Sequence, residues 1–205
     1  MSPGRATGAV RYIVVDVETA GPNPGQYALL SIGACTVGEP RETFYVELQP
    51  DRDTTTEEAV SVHGLSMEQL AREGTAPGEA MRRFAVWVAE VTPEGVRPLF
   101  VGFNAPFDWM FVNDYFHRYL GRNPFGHAAL DIKALYMGAA DVPWEETSMR
   151  HLAPRYLGGV QLTHNALQDA IDQARILEGI LDELAGRGRA LSDPTDEDHS
   201  GGTNG

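Results

Sequence analysis

Residues 13–21 read IVVDVETAG: a run of apolar residues, then two acids one residue apart, then a turn of small residues. With Arg11 and Tyr12 in front of it, this segment predicts a buried β-strand, because β-branched and aromatic residues favour strands. Carboxylates are costly to bury unless a metal ion, a partner charge or several hydrogen bonds compensate them. Asp16 and Glu18 therefore indicate either a metal site or a pair of surface acids at the end of a strand.

The bulk composition is that of an ordinary globular protein of one domain. The chain has 205 residues, of which 42% are apolar and 9% aromatic. No apolar run is long enough to cross a bilayer, so we expect no membrane partner. A single cysteine, Cys35, excludes a disulfide within the chain and favours a reducing, cytoplasmic location.

The formal net charge of −13 restricts the possible partners. The last sixteen residues hold four acids and no Lys or Arg, and removing those four changes the net charge only from −13 to −9. Proteins that grip long duplexes normally carry a basic face. An acidic body argues against tight, sequence-independent duplex binding. It is compatible with a site that binds a short nucleic-acid end through metal ions, which supply positive charge locally.

The order of elements predicts an α/β fold, a mixed sheet with helices on its faces. Three early strands with short links indicate an antiparallel meander, and strands then alternate with helices. We expect a loose leader over residues 1–9, one domain over residues 10–187 and an acidic, disordered tail over residues 188–205.

Short polar signals predict where several helices begin. Ser66 and Gln69 have the spacing of a capping box. Asp131 is expected to cap the helix that follows a short strand. Asn104 is expected to fix a strand-to-helix turn through side-chain hydrogen bonds.

Two further segments carry acids next to predicted helix starts. In VGFNAPFDWMF, Asp108 stands among aromatic residues within one turn of a strand, so it either needs compensation or serves as a helix-start acid favoured by the helix dipole. In LTHNALQDA, His164 precedes the last long helix and Asp169 lies near its buried stripe.

The three segments together resemble the three motifs of the DnaQ-like DEDDh 3′–5′ exonucleases. D-x-E-T, N-x-x-F-D-x-x-F and H-x-A-x-x-D-A follow one another over residues 11–180, and the five-residue step from His164 to Asp169 is that of the histidine subgroup. DVETAG and RNPF are most similar to the ribonuclease T branch. The resemblance implies a ribonuclease H-like fold and, in that branch, a homodimer.

The resemblance also implies a chemistry. Asp16, Glu18, Asp108 and Asp169 are expected to hold two Mg²⁺ or Mn²⁺ ions, with His164 as the general base. The expected substrate is a single-stranded DNA or RNA 3′ end, and the product a nucleoside 5′-monophosphate. Thr19 is expected to place the terminal sugar, and Phe107 either stacks on a base or packs in the core.

Two alternatives remain open at this point. A haloacid-dehalogenase-like phosphatase also places an acid pair after its first strand, but its second acid is Asp, and the HNALQDA segment would be unexplained. A nucleic-acid-binding module of the same fold without catalysis is the other. One departure from the ribonuclease T pattern is Pro22, which stands where a base-stacking aromatic residue is expected.

Overall fold

The protein is described by a computed structural model that covers residues 9–57, 64–158 and 165–192, with side chains up to residue 187. Its strands are β1 (Val10–Thr19), β2 (Leu29–Thr36), β3 (Thr43–Glu47), β4 (Arg97–Gly102) and β5 (Ala129–Asp131). Its helices are α1 (Met67–Glu73), α2 (Pro77–Glu90), α3 (Ala105–Leu120), α4 (Ile132–Ala140), α5 (Met149–Tyr156) and α6 (Ala166–Ser192), with a 3₁₀ helix at Trp144–Thr147.

The strands form one mixed sheet in the order β3-β2-β1-β4-β5, which confirms the predicted architecture. β1, β2 and β3 pair antiparallel, as the predicted meander requires. β4 pairs parallel with β1, and β5 parallel with β4. The carboxyl ends of β1, β4 and β5 therefore meet at one edge of the sheet, where parallel α/β sheets place their ligand sites.

Alternation along β1 separates the core into two layers. Ile13, Val15 and Val17 pack with residues of α2 and α3, whereas Val14 packs with residues of α4, α5 and α6. Successive side chains of a strand point to opposite faces of the sheet. Asp16 and Glu18 therefore share the face of Val14, toward α6.

The helix α6 covers that face with the apolar stripe that the sequence predicts. Ala170, Ala174 and Leu177 are fully buried, and Leu181 and Leu184 pack against the same cluster. The helix continues to Ser192, beyond the predicted domain end at residue 187. The tail and the leader lie almost entirely outside the described residues and stay predictions. Among the described helices, α6 included, none has both the length and the apolar character to cross a membrane.

A glycine lets α6 approach the sheet. A Cβ atom on Gly33 would overlap the backbone of Ala166 and Leu167, the first residues of α6. Gly33 pairs with Asp16 across β1 and β2. The close contact at Gly33 thus holds the first turns of α6 directly above the acids of β1.

The predicted helix starts are mostly confirmed, with two corrections. Ser66 Oγ accepts from Gln69 N at 3.2 Å, but the Gln69 side chain donates to Glu73 at 2.9 Å, so only half of the capping box forms. Asp131 caps α4 by accepting from Ala134 N at 2.8 Å.

The hydrogen-bonding role predicted for Asn104 is wrong. Asn104 begins α3 in the left-handed conformation (φ 66°, ψ 47°), and its side chain makes no capping hydrogen bond. Asn tolerates this conformation better than most residues. The second carboxylate oxygen of Asp131 accepts from Ala105 N at 2.7 Å and satisfies the first turn of α3 instead.

Candidate active site

Three acids meet where β1 ends beneath the first turns of α6. One carboxylate oxygen each from Asp16, Glu18 and Asp169 lies within 4.8 Å of the other two. The two-residue period of β1 puts Asp16 and Glu18 on one face, and the close packing at Gly33 brings Asp169 to them. The sequence prediction grouped these three residues, and the fold brings them together.

Asp108 lies in the same cleft but outside this group of three. The cleft has a volume of about 190 Å³. It is lined by residues of β1 and α3, by the segment between β4 and α3, and by one acid of α6: Asp16, Val17, Glu18, Phe103, Asn104, Phe107, Asp108 and Asp169. Asp108 stands in the first turn of α3, is 4% exposed, and accepts a hydrogen bond from Val17 N at 3.1 Å. This bond ties α3 to the strand that carries Asp16 and Glu18.

Crowding and burial disfavour the ionised form of these acids. Burial, then the charge of Asp169, raises the pKa of Asp16 to about 8, against a hydrogen bond from Gln173 that favours ionisation. Burial, then Asp16 and Asp169, raises the pKa of Glu18 to about 8. Burial and Asp16 likewise raise the pKa of Asp108 well above its ordinary value. A cation in the cleft would relieve this repulsion.

The donor set fits a hard divalent cation. All the clustered ligand atoms are carboxylate oxygens, which Mg²⁺ and Mn²⁺ prefer. The acids are desolvated and repel each other, so a bound cation compensates them in the way that buried carboxylates require. The residues present therefore fit a divalent metal site.

Gln173 is a polar residue of the site that the sequence analysis missed. It is 3% exposed, and its Nε2 donates to Asp16 Oδ1 at 2.7 Å. Its Oε1 accepts from Phe103 N at 3.0 Å. Gln173 follows Asp169 by one helical turn, so an amide on the buried stripe of α6 was the available signal.

The two predicted substrate-binding residues differ in their exposure to the cleft. Thr19 is buried, and its hydroxyl donates to Gly21 O at 2.9 Å. Phe107 lines the cleft and also packs on Phe111, with ring centroids 5.6 Å apart. Phe107 therefore packs against a neighbouring ring and is also accessible from the cleft, so both interpretations of it remain open. The substrate-binding roles of Thr19 and Phe107 stay predictions. The predicted general base, His164, lies outside the described residues.

Comparison with known proteins identifies the family. The RNase_T family model, described as "Exonuclease", matches residues 13–177 and so spans the sheet and all the predicted motifs. The chain belongs to this exonuclease family. The Escherichia coli protein named 3′-5′ DNA exonuclease Cap18 is 44% identical to this exonuclease over 174 residues, which cover 85% of this chain and 92% of that protein. The exonuclease is thus an enzyme, a 3′–5′ phosphodiester hydrolase, and the phosphatase alternative is excluded.

Solved structures share the fold. E. coli exonuclease I in complex with a dT13 oligonucleotide superposes with a TM-score of 0.70 at 15% identity over 89% of this chain and 43% of that one. The nuclease domain of 3′hExo, a DEDDh family member bound to rAMP, gives 0.70 at 16% identity over 86% and 94%. The exonuclease spans less than half of the exonuclease I chain. The expected ribonuclease H-like fold is confirmed by these structures, and the predicted exonuclease family by the family model.

Proposed function

We propose that this exonuclease removes nucleotides one at a time from the 3′ end of single-stranded DNA and releases nucleoside 5′-monophosphates. The observation that carries the proposal is the cluster of Asp16, Glu18 and Asp169 in a cleft at the end of the central strand. The choice of DNA is supported by the relative named as a DNA exonuclease, at 44% identity. A cleft of about 190 Å³ suits one terminal nucleotide better than a duplex.

The acids provide the sites for two divalent ions, Mg²⁺ or Mn²⁺. By the family resemblance, Asp16, Glu18, Asp108 and Asp169 would together hold these ions. Bound there, two ions supply positive charge at the attacking and the leaving oxygen of the phosphodiester. The raised pKa values of Asp16 and Glu18 support the assignment, because burial and the neighbouring acids disfavour an ionised form that a bound cation would favour.

The chain itself positions the reactants and moves the proton. His164, two residues before the first residue of α6, is proposed to accept the proton of the attacking water. An imidazole with an ordinary pKa near 6.5 is suited to this transfer near neutral pH. Phe107 is proposed to stack on the terminal base and Thr19 to place its sugar.

The test is digestion of 5′-labelled single-stranded DNA and RNA of matched sequence in Mg²⁺, Mn²⁺ or EDTA. We expect metal-dependent shortening from the 3′ end of DNA. Asp16→Ala and Asp169→Ala should lower the rate at least about a hundredfold, since each removes a metal ligand. Asp182→Ala, an exposed acid on the same helix as Asp169, is the matched control and should keep wild-type activity.

Three results would contradict parts of the proposal. Faster cleavage of RNA than of DNA would reverse the substrate assignment. Full activity of His164→Ala would show that His164 is not the general base, because loss of a general base is expected to lower the rate about a hundredfold or more. Binding of both polymers without cleavage in either metal would favour the non-catalytic binding module.

Two further expectations accompany the proposal. The family resemblance implies a homodimer, which light scattering coupled to size-exclusion chromatography measures directly. A reducing cytoplasm is the proposed location, supported by the single cysteine, Cys35, which is fully buried in the core.

A further inference from the structure

An aromatic and cationic surface leads out of the active-site cleft. Phe103 directly follows β4 and lines the cleft beside Asp16. Lys133 lies in the first turn of α4, which directly follows β5. Because β4 and β5 run parallel to β1, both residues lie at the sheet edge where β1 presents its acids. The surface is therefore continuous with the site.

Three side chains of this surface are arranged in a row. Lys133 Nζ lies 6.0 Å from the ring centroid of Phe103 and 4.2 Å from the ring centroid of Trp144. Trp144 begins the 3₁₀ helix after α4 and is 47% exposed, whereas Phe103 is only partly exposed. Phe103 thus lies at the cleft wall, Lys133 lies near both aromatic rings, and Trp144 is accessible to solvent. We call these three residues the Lys133 platform.

The charge of Lys133 sets it apart in this acidic chain. It is the only lysine of the 205 residues. In the part of the chain that the structure describes, no ion pair includes Lys133. Its contacts are the two aromatic rings, which attract a cation without neutralising it. Its positive charge stays available to an anion that lies beside the rings.

A purely structural role accounts for only part of this arrangement. A cation–π contact between Lys133 and Trp144 would fasten the 3₁₀ helix to α4. That role does not require Trp144 to stay 47% exposed, which leaves apolar surface in contact with water. An exposed indole beside an unpaired cation is the combination with which proteins bind single strands, through base stacking and phosphate attraction.

We propose that the Lys133 platform binds the substrate strand on the 5′ side of the nucleotide held in the cleft. A base stacks on the exposed part of Trp144, and Lys133 attracts a phosphate. The inference rests on the proposed function, because a 3′ end in the cleft directs the remaining strand outward. Glu145 and Glu146 follow Trp144 and are exposed, so they repel phosphate. Stacking therefore contributes more than charge at this surface.

The first measurement is the affinity for a 5′-fluorescent oligo-dT of the dT13 length, by anisotropy with Ca²⁺ in place of Mg²⁺. Trp144→Ala should raise Kd by about five- to thirtyfold, the lower part of the range for one stacked base. Trp144→Phe keeps an aromatic ring and should restore most of the affinity. Lys133→Met keeps the apolar stem but lacks the charge, so the salt dependence of log Kd should fall by about 0.7 in slope.

The second measurement separates the platform from the cleft. With oligo-dT in Mg²⁺, Trp144→Ala should raise KM while kcat stays at the wild-type value. With the 5′-p-nitrophenyl ester of thymidine monophosphate, which has one nucleotide and no base on its 5′ side, both constants should be unchanged. Met137→Ala is the matched control, because Met137 is an exposed apolar residue (39%) on the same helix as Lys133.

The outcomes are distinct. If Trp144→Ala and Lys133→Met bind oligo-dT as Met137→Ala does, the platform is a structural contact and the inference is wrong. It is equally wrong if Trp144→Ala loses activity on the p-nitrophenyl ester and on oligo-dT in parallel. If the wild-type protein cleaves neither substrate, the proposed function fails, and the anisotropy in Ca²⁺ still decides whether the platform binds a strand.

Discussion

Gln173 Nε2 donates a hydrogen bond to Asp16 Oδ1 at 2.7 Å, between residues 157 positions apart in the chain. Through its other amide atom, Gln173 accepts from Phe103 N at 3.0 Å. One buried side chain of α6 thus joins the central strand β1 to the end of β4. It holds the Asp16 carboxylate in one orientation while Asp169, one turn earlier, supplies a further carboxylate.

Replacing Gln173 should weaken metal binding. Gln173→Leu frees the Asp16 carboxylate to rotate, and loss of such an orienting partner typically costs about ten- to a hundredfold in metal affinity. Titration with Mn²⁺, followed by calorimetry or by the electron paramagnetic resonance of free Mn²⁺, measures this without activity. Gln168→Leu is the control, because Gln168 lies on the same helix but bonds Asp172 at 3.2 Å. Equal Mn²⁺ affinity of the two variants would contradict the orienting role.

The stability of the metal-free exonuclease should fall as the pH rises. Asp16 and Glu18 have pKa values of about 8 in the folded protein, above their ordinary values of 3.8 and 4.5. A raised folded-state pKa means that the folded state binds more protons than the unfolded state between these values. Stability is then highest below about pH 4 for these groups and is lost progressively up to about pH 8.

Thermal unfolding in EDTA from pH 5 to pH 8 tests this pH dependence. Mg²⁺ or Mn²⁺ favours the ionised acids, so the stabilisation by metal should grow over the same range. The double variant Asp16→Asn, Glu18→Gln should show weaker forms of both dependences, with a remainder from Asp108, whose pKa is also raised. If the melting temperature changes with pH equally in the wild type and the double variant, groups other than Asp16 and Glu18 control the pH dependence.

Asp108→Asn separates the charge of Asp108 from its hydrogen bond. Asn keeps an oxygen that can accept from Val17 N, but it lacks the negative charge that a metal needs. Activity should fall at least about tenfold, while the melting temperature in EDTA should stay equal or rise, because Asn cannot ionise beside Asp16 in this buried position. Asp114→Asn, on the same helix and paired with Arg118, should keep its activity. A large loss of stability in Asp108→Asn would point to a structural role instead.

Gly33→Ala should disrupt the site through the backbone. The added methyl group would overlap the start of α6, and such overpacking typically costs about 1–3 kcal/mol. Since the helix must move away from β2, Asp169 should leave the other acids and activity should fall as well. Gly138→Ala provides a contrast, because Gly138 lies in α4 with open space around it and should gain roughly 0.5–1 kcal/mol. Chemical denaturation of both variants gives the comparison.

The sequence by itself determined the order of the elements and predicted the acids that the fold brings to one cleft. The two-residue period of β1 is a local property, so it places Asp16 and Glu18 on one face before any packing is known. Asp131 and Ser66 likewise cap helices through backbone groups three residues away. The failed predictions at Gln69 and Asn104 share one cause, a neighbouring side chain. Glu73 bonds the Gln69 side chain in place of the helix start, and Asp131 accepts the backbone hydrogen bond at the start of α3 in place of Asn104.

Only the tertiary structure decided which distant groups meet. The distance of the acid oxygens, the bond from Gln173 to Asp16 and the row formed by Phe103, Lys133 and Trp144 depend on how α4 and α6 pack on the sheet. Such contacts join residues on different elements, and no periodic pattern in the chain encodes them. The tertiary structure also decided the burial of the acids. At a solvated strand end, Asp16 and Glu18 would be ionised, but burial beneath α6 raises their pKa values.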